Sequence, residues 1–129
     1  MSEKQKPEIG SITWCDLTVP NANEVKDFYS KVVGWMPEGV SMGDYDDFTM
    51  IAPESGKVAA GVCHARGSNA SLPTQWLIYI TVEDVDESAK SCLNLGGKVI
   101  IEPKTMAGYG RYCVIQDPAG AVCALFKPE

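Results

Sequence analysis

Residues 41–51 read Ser-Met-Gly-Asp-Tyr-Asp-Asp-Phe-Thr-Met-Ile, and residues 105–115 read Thr-Met-Ala-Gly-Tyr-Gly-Arg-Tyr-Cys-Val-Ile. Laid over one another at an offset of 64, they match Met42 with Met106, Tyr45 with Tyr109, Ile51 with Ile115 and, as aromatics, Phe48 with Tyr112. The same offset matches Glu38 with Glu102, Gly56 with Gly120, Val58 with Val122 and Ala60 with Ala124. Nearer the start of each half the offset is 63, matching Val19 with Val82, Glu24 with Glu87 and Gly34 with Gly97. A fixed period of this kind marks an internal duplication.

Each half repeats one order of signals. Ile12–Val19 reads as a strand, Asn21-x-x-Glu24 as a capping box, and Val25, Phe28, Tyr29, Val32 and Val33 as one face of a helix that Gly34 ends. Three strands follow: 35–41, 45–52 and 57–64, the last two joined by the turn Pro53-Glu54-Ser55-Gly56. In the second half, 77–82 reads as a strand and Asp84-x-x-Glu87 as a cap. A helix with Val85, Ala89, Cys92 and Leu95 then stops at Gly96-Gly97. Strands at 98–102, 111–116 and 121–126 complete it, with Asp117-Pro118-Ala119-Gly120 as the turn. The expectation is an α+β fold of tandem βαβββ modules, residues 10–65 and 75–127, in a single domain spanning 1–129. A polar connector, residues 65–74, joins the halves.

The 129 residues carry 45% apolar side chains and a formal charge of -6, with a pI near 4.7. An acidic chain with scattered lysines and arginines argues against nucleic acid and anionic membrane as partners, since both select a basic face. No apolar run reaches the ~18 residues of a membrane helix. The polar tail Ser2-Glu3-Lys4-Gln5-Lys6-Pro7 lacks the apolar segment of a secretory signal, which points to the cytoplasm. Cys15, Cys63, Cys92, Cys113 and Cys123 are odd in number and lack a Cys-x-x-Cys pair, so they read as reduced packing residues.

One helix covers one face of a four-stranded sheet, so the two modules are expected to pair their other faces as cupped mixed sheets with the helices outside. Alternation in the first strand puts Cys15, Leu17 and Val19 toward the helix and Trp14, Asp16 and Thr18 toward the cup. In the second half Ile78, Ile80 and Val82 face the helix, and Leu77, Tyr79 and Thr81 the cup. Parity sends Phe48, Met50, Val58, Ala60, Val62 and His64, and likewise Tyr112, Val114, Val122, Ala124 and Phe126, to the cup. Aromatic and aliphatic side chains with a few polar ones suit a small-molecule site.

The chain resembles the vicinal oxygen chelate superfamily, which includes glyoxalase, bleomycin-resistance proteins and extradiol dioxygenases. The residues that carry the resemblance are Ile12-Thr13-Trp14-Cys15-Asp16-Leu17, Asp27-Phe28-Tyr29, Val33-Gly34-Trp35, Thr81-Val82-Glu83-Asp84-Val85-Asp86 and the closing Asp117-Pro118-Ala119-Gly120-Ala121-Val122-Cys123-Ala124-Leu125-Phe126. The resemblance implies paired βαβββ modules around a cupped site and, in the metalloenzymes, a divalent metal held by His, Gln or Glu. Carried over residue by residue, the four ligand positions fall on Trp14, Leu77, Ala60 and Ala124, none of which binds a metal. The expected metal set is therefore none, and no cofactor is expected.

Two residues are candidates for acid–base work. Asp16 lies between Trp14 and Thr18, where poor solvation would raise its pKa. His64, the chain's one histidine, ends a strand. Glu38 and Glu102 are related by the repeat and read as solvated strand positions. Tyr109, between Gly108 and Gly110, suits a flap over a ligand. No phosphate-cradling motif is present.

These readings converge on a metal-free small-molecule binding protein of the glyoxalase and bleomycin-resistance type. Its partly apolar or planar ligand would lie among Trp14, Asp16, Phe48, Met50, Tyr79, Tyr109, Tyr112 and Phe126, and the working form would be a homodimer. The alternatives are a glyoxalase-like lyase or isomerase using Asp16 or His64, and a dimeric interaction module with a filled cavity.

Overall fold

The structure is a computed structural model that describes residues 7–129; residues 2–6 of the N-terminal tail lie outside them. Among the described residues the order is β1 Ile12–Val19, α1 Ala22–Val33, β2 Met36–Ser41, β3 Asp46–Ile51, β4 Val58–His64, β5 Trp76–Thr81, α2 Val85–Asn94, β6 Lys98–Met106, β7 Gly110–Gln116 and β8 Val122–Pro128. This is βαβββ twice. The strands run in the order β2-β3-β4-β1 in the first repeat and β5-β8-β7-β6 in the second. Both repeats are mixed sheets, with β1 parallel to β4 and β5 parallel to β8 and the other described pairs antiparallel. Two compact units result, one from Trp14 to Leu77 and one from Ile78 onward that also takes in the described residues up to Thr13. Gly10 N–H donates to the Thr81 carbonyl at 2.8 Å and Thr81 N–H to the Ser11 carbonyl at 2.9 Å, tying that segment to the second unit.

In the first unit Leu17, Val19, Ala22, Met50 and Val62 form the core, with Val25 and Tyr29 of α1 packed against it. The helix buries less than its sequence suggests. Phe28, Val32 and Val33 are more than half exposed, so the apolar stripe in contact with the sheet narrows to Ala22, Val25 and Tyr29. The expected capping box at Asn21 is also absent. Asn21 Nδ2 donates to Glu24 Oε1 at 3.2 Å, and no side chain caps the helix. Gly34 does end it, at φ 88 with its N–H on the Ser30 carbonyl, a conformation that glycine adopts without a Cβ clash.

The second unit packs Val85, Ala89, Cys113 and Leu125, with Ile80, Val82, Val99, Ile115 and Cys123 around them. Here the cap is as expected: Asp84 Oδ1 accepts from Glu87 N–H at 3.0 Å. Leu95, expected on the buried face, is 77% exposed at the helix end. Arg111 of β7 grips α2 with two bonds to Asp86, Nε–Oδ2 2.7 Å and Nη2–Oδ1 2.8 Å. Arg111 donates to Asp86 and holds its carboxyl below the ordinary 3.8. A lowered pKa means the contact is complete above the unfolded value and is lost as pH falls through the folded one. Carbon NMR titration is expected to find Asp86 below 3.8, and Arg111→Gln should return it there; an unchanged midpoint would show the pairing to be absent in solution.

The segment expected as a flap is a short hairpin. β6 continues to Met106 and β7 begins at Gly110, leaving Ala107, Gly108 and Tyr109 between them. Tyr109 N–H donates to the Met106 carbonyl, and Glu129 secures the turn twice, by its N–H to the Tyr109 carbonyl and by Oε2 accepting from Gly108 N–H, each bond 3.0 Å. Gly110 has φ 149, and a Cβ there would meet the Lys127 carbonyl oxygen and lie 2.9 Å from Pro128 Cα. β2 pairs only with β3 and β6 only with β7, and each contains a proline, Pro37 and Pro103.

Candidate functional site

Strand register decides which side chains share a face, because partners on adjacent strands point the same way. In the first unit Asp16 pairs with Gly61, Leu17 with Val62, Thr18 with Cys63 and Val19 with His64. Phe48 pairs with Val62 and Met50 with Ala60. Phe48, Met50, Ala60, Val62 and His64 therefore lie on the helix side with Leu17 and Val19, which corrects their expected place beside Trp14 and Asp16. Met50 and Val62 are wholly buried in that core. The opposite face carries Trp14, Asp16, Thr18, Thr49, Gly61 and Cys63.

The second unit follows the expected phase. Tyr79 pairs with Ala124 and Thr81 with Phe126, while Tyr112 pairs with Phe126 and Val114 with Ala124. All six lie opposite the helix. The Tyr79 and Phe126 rings meet edge to face, with centroids 6.5 Å apart, and Lys104 Nζ stands 5.7 Å from the Tyr112 ring. Tyr112, Val114 and Ala124 are buried; Tyr109 is 69% exposed on its turn.

On the first unit's sheet face, Trp14 Nε1–H donates to Asp16 Oδ2 at 3.1 Å. The other carboxylate oxygen, Oδ1, is shut off from solvent. Gly61 lies beneath both side chains, and a Cβ there would come within 3.2 Å of Asp16 Cβ and of Trp14 Cζ2. The bare backbone at Gly61 thus lets the indole and the carboxylate settle against the sheet. Cys63 shares this face, and burial first, then the charges of Asp16 and Asp47, push its thiol well above its ordinary value. Burial likewise raises the Cys113 thiol to about 11. Both sulfurs are held protonated, unsuited to nucleophilic attack at neutral pH.

His64 belongs to a different constellation. Asp47 Oδ1 accepts from His64 N–H at 2.8 Å and faces Nδ1 at 3.3 Å, with 11% and 14% of the two side chains exposed. His64 and Phe48 line a cleft of about 410 Å³ together with Asn23, Gly43, Asp44, Tyr45 and Asp46. Of these only Phe48 and His64 stand out in the sequence. The acidic run around Tyr45 is the signal that could have shown the rest. Glu38 and Glu102 are exposed strand residues.

A divalent metal does not fit the family positions: Trp14, Leu77 and Ala124 offer no donor, and register puts Gly61, not Ala60, beside Asp16. Among the described residues no three His, Cys, Asp or Glu side chains gather to hold an ion. Nor is any described helix long and apolar enough to cross a membrane.

The backbone is similar to that of a methylmalonyl-CoA epimerase from Mycobacterium tuberculosis, with 12% identity and a TM-score of 0.59 over 100% of this chain and 93% of that one. This is a likeness of fold. In sequence the chain is similar to the anthracycline biosynthesis protein DnrV of Streptomyces peucetius, 30% identical over 92% of this chain and 47% of that protein. It is 28% identical to a Mycobacterium bovis protein named "Putative glyoxylase CFP32", over 94% of this chain and 45% of that one. The chain thus spans about half the length of the curated relatives it matches. Residues 11–125 match one family along the whole duplicated region, and the chain belongs to the Glyoxalase/Bleomycin resistance protein/Dioxygenase superfamily.

Proposed function

We propose that the chain is a metal-independent small-molecule binding protein whose planar or partly apolar ligand stacks on Trp14 and presents a hydrogen-bond donor to Asp16. The observation that carries this reading is the Trp14–Asp16 pair set over the bare backbone of Gly61. An indole gives an aromatic ligand a stacking surface, and a poorly solvated carboxylate favours a donor. The relation to a protein named for anthracycline biosynthesis agrees with a planar ligand. Tyr79 and Phe126 supply comparable aromatic surface in the second unit. The same reading takes the protein as a cytoplasmic homodimer: all five cysteines are free thiols, as suits a reducing compartment, and twofold dimers are the commonest oligomers.

Titration with 1,2-dihydroxyanthraquinone is expected to quench tryptophan fluorescence saturably. Trp14→Phe should abolish most of the quenching, because Trp35 and Trp76 are packed with Tyr29, whose hydroxyl accepts from Trp76 Nε1–H at 3.1 Å. Asp16→Asn should weaken binding about tenfold or more, the usual size of a lost hydrogen bond to a charged group. Quenching that survives Trp14→Phe, or an Asp16→Asn that lowers the melting temperature and leaves binding intact, would overturn the proposal.

A further inference from the structure

The cleft around His64 lies on the helix side of the first unit, away from the face that bears Trp14 and Asp16. Four features of it act together. First, Asp47 faces Nδ1 of His64 at 3.3 Å. A carboxylate only accepts, so Nδ1 carries the proton of the neutral ring and Nε2 is left as an acceptor. Second, the ionisable lining apart from His64 and the phenol of Tyr45 is acidic, namely Asp44 and Asp46. Third, the ring of Tyr45 stands edge-on to His64 with centroids 5.1 Å apart, and Phe48 adds a second ring to the wall. Fourth, the protein's own cations already lie over both rings. The Arg66 guanidinium is 3.9 Å from the Tyr45 centroid, and Lys26 Nζ is 5.1 Å from that of Phe48. Arg66 also reaches Asp44 Oδ1 at 3.6 Å.

A positive charge is therefore favoured here by the carboxylates, while Arg66 and Lys26 already cover one face of each ring and leave the rings to pack on an apolar skeleton. A volume of about 410 Å³ is within the range of small-ligand sites, roughly 300–1,000 Å³. We propose that this cleft binds the ammonium group of a small aryl- or alkylamine, with His64 Nε2 accepting one N–H, Asp44 and Asp46 balancing the charge, and Tyr45 and Phe48 packing on the carbon skeleton. Protonation of His64 would remove the acceptor and repel the ligand.

The chain has one histidine, so its imidazole nitrogen signals need no assignment by mutagenesis. Benzylammonium chloride added to the full chain is expected to shift the His64 Nε2 resonance saturably. Benzyl alcohol, its neutral counterpart, should bind at least about tenfold more weakly, the factor expected for losing a charge-assisted hydrogen bond. Asp46→Asn and Asp44→Asn leave the imidazole in place and should each weaken the amine while sparing benzyl alcohol; His64→Gln should reduce the amine's protection against thermal unfolding. Trp14→Phe should change none of these signals, so this site and the Trp14 site fail separately. Equal response to benzyl alcohol, a shift linear in amine concentration with no saturation, or indifference to both aspartate variants would each overturn the proposal.

Discussion

Gly110→Val is expected to lower the melting temperature by roughly 10 °C. At φ 149 the position lies where a side chain is rarely tolerated, and a Cβ would be driven into the Lys127 carbonyl and against Pro128 and Glu129. Backbone strain of this kind costs about 1–3 kcal/mol, and overpacking adds about as much. A combined loss of about 3 kcal/mol corresponds to that shift in a domain of this size. The obstruction is backbone, so a change of rotamer offers no relief; β7 has to move away from β8. Thermal unfolding by circular dichroism tests this, with Gly108→Ala as the comparison. Gly108 also has a positive φ, but a Cβ there meets nothing within 4 Å. Equal losses at the two glycines would show that strain alone, not the close approach of β8, sets the cost.

Met50→Ala is expected to destabilise by about 3 kcal/mol, within the 2–5 typical of emptying a buried site, while leaving the binding of 1,2-dihydroxyanthraquinone unchanged. Met50 is fully buried in one cluster with Leu17, Val19 and Val62. Alternation counted from sequence put it beside Trp14 instead. Urea unfolding with a fluorescence titration on the same variant separates the two placements. A stable variant with weakened binding would return Met50 to the ligand face.

The sequence was most legible where structure is local. Asp84 caps α2, Gly34 ends α1, and Asp117 Oδ1 accepts from Ala119 and Ala121 N–H at 2.8 and 3.0 Å across the last hairpin. Each is a short-range consequence of residues a few places apart. The duplication was legible too, and with it the element order. Phase was not. Asp16 beside Gly61 corresponds to Tyr79 beside Ala124, an offset of 63. Thr49 opposite Gly61 corresponds to Val114 opposite Ala124, an offset of 65 for that strand. The residue identities align at 64, and an even number in place of an odd one exchanges the two faces of a strand. Bulges between Met50 and Ile51, and in β6 between Val99 and Lys104, are where the spacing shifts. Hence simple alternation misplaces Phe48 and Met50, which lie on the helix side, while it agrees with Tyr112 and Val114, which lie opposite the helix. The cleft around His64 stayed hidden for another reason: Asn23, the 43–48 segment and His64 meet only through the return of β4 beside β1.

The prolines of β2 and β6 bear on how the molecule behaves in crowded solution. A strand with one unpaired side offers a ladder of N–H and C=O groups on which a foreign strand can grow, the first step of β-aggregation. Every residue of β2 is exposed, so nothing in its own unit shields it. Proline has no N–H to offer and is admitted to a paired strand where the missing donor points outward or at a bulge. Pro37 is the second residue of β2, opposite Met50, and Pro103 falls within the irregular stretch between Ile101 and Lys104. Each outer strand is thus interrupted as a template, which discourages uncontrolled edge-to-edge polymerisation of the folded chain.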